Sequence, residues 1–505
     1  MKYLIGLDVG TSNVKAVLFD LDGNEILVKN EPTDVITFNG NWQEQDMIQV
    51  YDQCARCIKG IMDSGIAKPE EVLAVGLSGQ GEGVWMIDKD GNPVKRASLW
   101  SDGRASEILD YLTKENQELF QYIFSINGSK STVSNTLLQL AWYKKHTPEI
   151  FQPGNTVLNR KDWVRFRLTG NRNMEITDAS VSTLHIKEGR YNTEVFEALG
   201  ISDLLQYMPP LIKSYDKAGE ITEQAAKETG LAVGTTVVGG ALDVTITMVG
   251  VNAVNVGDIY SILGTTCCTG VVCDLNTLVP GSDMNASHVR HPKDGLCINI
   301  LATMAGTPNL DWVIENISNT SDFVEIEKNI KDIPAGSGGI IYHPYITPAG
   351  ERCPFYNPDA RAGFFGLSTH STRWHMVKAV YEGVAFTIKD CLYGVKEMGN
   401  IYLAGGGSKS EMWAQIIADV TGRTTVLSEG TEFGAKGAAI LAGVCMGVYS
   451  DINDAATKLC KVKASFAPNP KNVPIYDELY QIFRASRIAN MDLWHQREAI
   501  VKKYS

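Results

Sequence analysis

The chain has 505 residues, too many for one hydrophobic core, so roughly two to four domains are expected. With 44% hydrophobic and 21% charged residues it has an ordinary globular composition, and a formal net charge of −12 without Lys/Arg runs argues against nucleic acid and for small-molecule chemistry. No apolar stretch reaches membrane-spanning length and a strand beginning at Tyr3 leaves no room for a secretory signal, so no membrane partner and a cytoplasmic location are expected.

The first elements, in "YLIGLDVGTSNVKAVLFDLDGNEI" (residues 3–26), are two β-branched-rich runs joined by a small-residue turn at Gly10: a hairpin. Asp8 ends the first run. A carboxylate there needs a partner, and the N–H groups of a Gly-containing turn form an anion site, so phosphate with a divalent cation suits the pair; a simple strand-end cap is the plainer alternative. Next comes the helix-like "MIQVYDQCARCIKGIM", in which Cys54 and Cys57 form a Cys-x-x-Cys with no second pair or nearby His to complete a zinc site. The ten cysteines, several inside apolar runs, read as buried thiols of a reducing compartment. "GLSGQGEGVWMIDKDGNPV" follows as strand, polar loop, strand and turn.

In "TTVVGGALDVTITMVGV" (235–251) a buried strand and two glycines lead into a helix expected to start near Asp243. A carboxylate there suits either an N-cap or a general base for phosphoryl transfer. Gly239 and Gly240 are hinge candidates, or merely relieve crowding. The opening hairpin then recurs: "LDVGTSNVKAVLFD" at 7–20 resembles "SILGTTCCTGVVCD" at 261–274, with Gly10, Thr11, Ser12 and Asp20 falling on Gly264, Thr265, Thr266 and Asp274, while Asp8 falls on Ile262. Two related lobes are expected, gripping a nucleotide in the cleft between them, with only the first able to help hold a cation.

"IYLAGGGSKSEMWAQIIADVTG" reads as strand, glycine loop and helix from about Ser410 to Val420; lacking a full G-x-G-x-x-G, it suits an adenosine shelf better than a dinucleotide site. The small-residue helix "FGAKGAAILAGVCMG" is expected to pack beside that loop or simply on its neighbours. A helical tail, "DELYQIFRASRIANMDLWHQREAI", should dock through Leu479, Ile482, Phe483, Ile488 and Leu493.

The order of these elements resembles the FGGY family of carbohydrate kinases. "AGFFGLSTHSTRWHMVKAVYEG" (362–383) fits the family's C-terminal signature throughout, and "NWQEQD", "LWSDGRA", "RKDWVRFRLTG" and "YITPAGERCPFYNPDARAGFFGLS" extend the similarity over nearly the whole chain. The resemblance implies an α/β, two-lobed, actin, Hsp70 and hexokinase-like (ribonuclease H-like) fold, with domains at 1–250 and 251–450 and a packed helical segment at 451–505. It also implies an ATP- and Mg2+-dependent phosphotransferase. Asp8 then corresponds to the Mg-linked aspartate, Thr11 and Ser12 to the first phosphate loop, and Lys15 to a basic residue near the transferred phosphate. Gly264, Thr265 and Thr266 correspond to the second phosphate loop, Gly405, Gly406 and Gly407 to the adenosine loop, and Asp243 to the general base. One position departs: where the family's other signature has Lys, this chain has Gln139.

Gln80, Gly81 and Glu82 fall in the family's substrate loop, and Trp100 and Asp102 with Asp243 complete the implied substrate-binding set. Xylulokinases typically carry Met-His where this chain has Gly81 and Glu82, whereas glycerol and erythritol kinases place a carboxylate at the latter. Glu82 can accept hydrogen bonds from two sugar hydroxyls; a solvated loop acid is the alternative. A pentulose such as D- or L-xylulose is expected first, a polyol such as erythritol next. A noncatalytic sugar-binding relative or a chaperone-like ATPase is the reading from another class. The sequence is silent on oligomeric state, and a homodimer is compatible with it.

Overall fold

The computed structural model describes residues 1–282 and 287–504. The chain forms two compact units. The first comprises Met1–Val254, Val272–Asn299 and Gly430–Lys461; the second comprises Asn255–Val271, Ile300–Glu429 and Val462–Ser505.

The first unit is built on strands β1 (Tyr3–Val9), β2 (Asn13–Asp20), β3 (Glu25–Pro32), β4 (Val72–Gly79), β5 (Lys217–Glu220) and β6 (Thr236–Val238). They lie in the order β5-β6-β4-β1-β2-β3. β1 and β4 are parallel neighbours inside the sheet, which is why both read as near-continuous apolar runs. In the second unit β7 (Ile259–Leu263) and β8 (Cys267–Asp274) form a hairpin. β9 (Leu296–Thr303), β10 (Ile401–Ala404), β11 (Thr425–Ser428) and β12 (Val462–Phe466) extend it in the order β9-β8-β7-β10-β11-β12, and the short strand His288–Arg290 pairs with β9 on its outer side.

The repeat seen in sequence is a repeat of topology. In each sheet the hairpin strands are antiparallel, two parallel steps follow, and an antiparallel strand closes the edge. The turns differ by one residue: Val9 pairs Val14 across four turn residues, whereas Leu263 pairs Cys267 across three.

The helices that bear on the site are, in chain order, α1 (Met47–Met62), α2 (Thr136–His146), α3 (Arg160–Thr169), α4 (Ile176–Ala179), α5 (Asp243–Gly250), α6 (Arg373–Cys391), α7 (Glu411–Thr421), α8 (Phe433–Cys445) and α9 (Val473–Tyr504). Asp46 caps α1 by accepting from the N–H groups of Ile48 and Gln49. Val50, Tyr51, Cys54, Cys57 and Ile58 then face the sheet. Burial pushes the Cys54 and Cys57 thiols upward, so the Cys-x-x-Cys is core rather than ligand.

The opposite face of the first sheet is covered by α8 at backbone-to-backbone distance. A Cβ added to Gly6 would lie 1.9 Å from the Ala435 carbonyl oxygen, and one on Gly76 would lie 1.9 Å from that of Ala438. On α5, a Cβ at Gly250 would lie 1.9 Å from the Phe433 carbonyl oxygen, and one at Gly437 would lie 2.1 Å from that of Ile246. The small residues of "FGAKGAAILAG" therefore serve contact with β1, β4 and α5. The glycine loop expected to flank this helix belongs to the second unit.

The tail is the 32-residue α9, and its buried side chains are Tyr476, Tyr480, Phe483, Arg487 and Trp494. Of the apolar residues expected to dock, Ile482, Ile488 and Leu493 are exposed at 47%, 59% and 53%. The surface beneath explains the correction. α6 carries the buried acids Glu382 and Asp390, which accept from the Tyr476 hydroxyl at 2.7 Å and the Tyr480 hydroxyl at 2.8 Å, and Arg487 pairs with Asp390 at 2.5 Å. Aromatic bodies with polar tips fit that surface, and aliphatic side chains do not.

The tight glycine packing makes a direct prediction. Gly76→Ala forces a methyl group into the Ala438 carbonyl and is expected to cost ~3 kcal/mol, read as a lower urea midpoint at unchanged slope.

Candidate active site

Asp8 is the last polar position of β1, directly across the hairpin from Lys15. Burial raises its pKa, opposed by the Ser78 hydroxyl, which donates to Oδ1 at 2.7 Å. Its other flank is the first turn of α8: a Cβ on Gly434 would lie 3.4 Å from Asp8 Oδ2. Glu432, just before that helix, pairs with Lys15 at 2.8 Å. Glu25 holds the same segment by accepting from the N–H groups of Thr431 and Glu432. Sequence reasoning missed Glu432, and the acid preceding the small-residue helix was its only signal.

The turn between β1 and β2 has its carbonyls facing the protein. The Gly10 oxygen accepts from Arg160 Nη2 at 2.7 Å, the Thr11 oxygen from Gln45 Nε2 at 3.0 Å, and the Ser12 oxygen from Thr33 N at 2.9 Å. Among the described residues none accepts from the N–H groups of Thr11 or Ser12. Carbonyls inward and amides outward is the polarity of an anion site. Arg160, buried at the start of α3, was not singled out in sequence. Its charge also faces Asp8 and Asp243.

Asp243 is the first residue of α5 and half-buried; the N-cap position belongs to Leu242. The cap alternative is thus replaced by a first-turn carboxylate whose Oδ1 accepts from Val244 N at 2.6 Å. Burial, and then the charge of Asp8, push its pKa up to about 7. The two acids, 235 positions apart in sequence, therefore feel each other within one unit. Gly239 and Gly240 are crowded. Their Cβ atoms would meet the carbonyl oxygens of Lys213 at 2.3 Å and Leu77 at 2.2 Å, so they serve close approach rather than a hinge.

The loop after β4 carries Gln80, Gly81 and Glu82. Glu82 is 7% exposed, which removes the solvated-acid alternative. Its Oε2 accepts from Asn135 Nδ2 at 2.9 Å and Thr136 N at 2.8 Å, at the N-terminus of α2. Burial raises its pKa to about 7 against those bonds. Gln80 Oε1 accepts from the Thr11 hydroxyl, and its buried Nε2 has no partner among the described residues. Trp100, 44% exposed, donates from Nε1 to Thr11 Oγ1 at 2.9 Å. Asp102 stands apart from this group: fully buried, it is spent on Arg104 at 2.7 Å and on the Gln43 N–H at 2.7 Å. Gln139 is also buried, accepting from Ser98 and donating to the Leu99 carbonyl, so the amide that replaces the family's Lys anchors the strand leading to Trp100.

In the second unit the turn Gly264–Thr266 and the loop Gly405–Gly407 are neighbours. Gly405 has φ 84°, and a Cβ there would lie 2.6 Å from the Leu263 carbonyl oxygen. Gly306, unforeseen, packs against the turn from the other side: its Cβ would lie 2.3 Å from the Gly264 oxygen, which also accepts from Thr307 N at 2.7 Å. As in the first turn, carbonyls face inward. α7 begins at Glu411 with Ser410 as its cap, donating to Glu327.

A carboxylate of raised pKa beside a polar loop, near a turn whose amides face outward, is what a phosphotransferase acting on an alcohol requires, and the doubled sheet is the frame of the actin, Hsp70 and hexokinase-like fold. Residues 3–250 match the N-terminal domain, and residues 259–446 the C-terminal domain, of the FGGY family of carbohydrate kinases; the chain belongs to that family. Among its relatives are an erythritol kinase of Brucella abortus (strain 2308), 28% identical with 97% of each chain covered, and an L-xylulose/3-keto-L-gulonate kinase of Escherichia coli K12, 28% identical with 98% of each covered. In fold it matches a ligand-bound xylulose kinase from Lactobacillus acidophilus, with a TM-score of 0.88 at 23% identity over 98% of this chain and 100% of the other. Among the described residues no helix is long and apolar enough to cross a membrane.

The raised pKa of Asp243 sets a stability prediction. The folded chain holds a proton at Asp243 up to about pH 7, whereas the unfolded chain releases it near the ordinary aspartate value of 3.8, so this residue erodes stability as pH rises between the two. Asp243→Asn should therefore melt about 2 °C or more above the wild type at pH 8, with the gap narrowing toward pH 5, as followed by calorimetry.

Proposed function

We propose that the protein transfers the γ-phosphate of ATP to a hydroxyl of a small sugar, most readily a pentulose such as D- or L-xylulose. The observation that carries this reading is Asp243. It is half-buried, makes no ion pair among the described residues and has a pKa near 7, which is the state a general base needs in order to accept a hydroxyl proton at neutral pH. The outward amides of Thr11 and Ser12 with Lys15 support phosphate contact in the first unit. Gly264, Thr265, Thr266 and Gly405–Gly407 support nucleotide contact in the second.

Asp8 fits a Mg2+ ion carried in with the nucleotide. It is a partly desolvated carboxylate with one hydroxyl donor, and no cluster of three or more metal-binding side chains exists among the described residues. An ion there would take most of its ligands from water and phosphate, as Mg2+ does, and would supply charge compensation for the phosphates. None of the ten cysteines forms a disulfide, which favours the cytoplasm.

Two features bear on the sugar. Gln80 Nε2 is a buried donor in need of an acceptor, which the carbonyl of a ketose provides. Glu82, held at α2 through Oε2 and close to the Ser182 hydroxyl, can accept from a sugar hydroxyl through its remaining lone pairs. This second feature also favours the next reading, a polyol such as erythritol, because one of the relatives is an erythritol kinase.

A coupled assay of ATP turnover over D-xylulose, L-xylulose, ribulose, erythritol and glycerol orders these substrates. Stimulation by a pentulose above the others is expected; erythritol alone would establish the polyol reading, and no stimulation by any would leave a noncatalytic relative. Asp243→Asn should lower kcat by about 10³-fold while the dissociation constant for ATP stays within about twofold. Near-normal turnover in that variant removes Asp243 from the role of base.

A further inference from the structure

Behind the sugar loop and the start of α5 lies a fully buried group of charges: Lys161 and Arg165 on α3, Asp162 between them, and Glu175 and Asp178 around the single turn α4. Lys161 donates to Asp178 Oδ2 at 2.6 Å and lies 3.4 Å from Glu175, and Arg165 pairs with Asp162 at 2.7 Å. Five buried charges are costly to keep unless their geometry is used.

Two contacts leave α4 for two different segments. Asp178 Oδ1 accepts from the backbone N–H of Glu82 at 3.3 Å, and Thr177 Oγ1 accepts from the backbone N–H of Leu242, the residue before Asp243, at 2.9 Å. The Thr177 hydroxyl points its own proton to Glu175 Oε2 at 2.7 Å, which leaves its lone pairs for Leu242. Glu175 is fixed in turn by the Ser214 hydroxyl at 2.6 Å. Gly81 is wedged between the two arms: a Cβ there would lie 2.4 Å from Leu242 and 2.7 Å from Asp178.

We infer that the turn Glu175–Asp178 is a bracket that sets the distance between the sugar-holding loop and the proton-accepting carboxylate, with Thr177 and Asp178 as positioning residues for the two sides. The inference rests on the kinase reading of the same site. Each acts through a backbone N–H: Asp178 fixes that of Glu82 itself, and Thr177 that of Leu242, the residue before Asp243. A base displaced by a fraction of an ångström loses rate, and a sugar loop displaced loses affinity.

The two arms can be cut separately. Thr177→Val keeps the shape and removes the acceptor for Leu242 N–H, and Thr177→Ser restores it. Asp178→Asn leaves a single acceptor oxygen where two donors call for one each; the Lys161 ammonium takes it, and Glu82 N–H is left facing an NH2 group. Steady-state kinetics with the best sugar from the screen, corrected for folded fraction by circular dichroism, should divide. Thr177→Val is expected to lower kcat about tenfold with the sugar KM within twofold, and Thr177→Ser to recover at least half of the loss. Asp178→Asn also removes a negative charge that raises the Asp243 pKa, so each variant is compared on the plateau of its own pH profile; there Asp178→Asn is expected to raise the sugar KM about tenfold with kcat within twofold, and both variants to leave the ATP KM unchanged. If both variants move the same parameter, or lose only folded fraction, the bracket is overturned. The same holds for Thr177→Val alone if Asp178→Asn does not fold. A wild type without sugar-stimulated turnover overturns the kinase reading and the bracket together, whereas an active wild type with undivided variants overturns the bracket only.

Discussion

The contact on which the first unit depends is the seating of α8 against β1, β4 and α5, which touch it backbone to backbone at four glycines. Glycine at 6, 76, 250 and 437 lets carbonyl oxygens of one element enter the space where a Cβ of the other would stand. The consequence is positional as well as energetic. With the helix this close, its first turn reaches Asp8 through Gly434, and the residue just ahead of it, Glu432, reaches Lys15. A helix held at the usual 8–10 Å by larger side chains would withdraw its N-terminus from both.

Around that seat the chain gathers acids that would rather be neutral. Asp8, Glu82 and Asp243 all have raised pKa values, and burial is the largest cause in each. The buried cations nearby offset this only in part, because none of them pairs with these three acids. Lys161 is spent on Asp178, Arg165 on Asp162, and Arg160 on the Gly10 carbonyl and Gln45. Asp243 accepts one backbone N–H, from Val244, and feels the Lys161 and Arg160 charges without an ion pair to either. An ion pair would have made Asp243 a weak base, and full exposure would have returned it to an ordinary carboxylate; half-burial beside another acid holds it between these limits.

Features legible in the sequence were those whose cause is local. The two hairpins announce themselves through β-branched runs and small-residue turns, and their repeat predicts a shared topology that both sheets possess. An acid inside an apolar run marked Asp243, and a carboxylate in a polar loop marked Glu82. What escaped is set by partners distant in the chain. Arg160, Glu432 and Gly306 matter because of what they meet, and no period or motif reports that. The same cause misled the reading of α9: its aliphatic residues recur at helical spacing, yet the face that docks is chosen by the buried acids of α6. Asp102 is the opposite case: a motif resemblance drew attention to it, and what the sequence did not show is its buried pairing with Arg104.

The sugar loop shows how much local discomfort the chain accepts at this place. Glu82 has φ 65° and Gly83 has φ 86°, so a glutamate stands in the left-handed region where glycine costs nothing and an acid costs about 1 kcal/mol. Its carboxylate is also desolvated. What holds it is the N-terminus of α2, where the amide of Thr136 and the side chain of Asn135 converge on one oxygen and the helix dipole favours negative charge. Asn135 is itself fixed by accepting from Thr132 N at 2.7 Å. A residue strained in its backbone, buried in its charge and anchored by two donors is over-determined by its surroundings, and such positions persist where a side chain must be presented in one orientation. Glu82 and Asp243 thus share one physical condition, a carboxylate whose pKa burial raises and whose backbone or helix-start position is fixed by its surroundings.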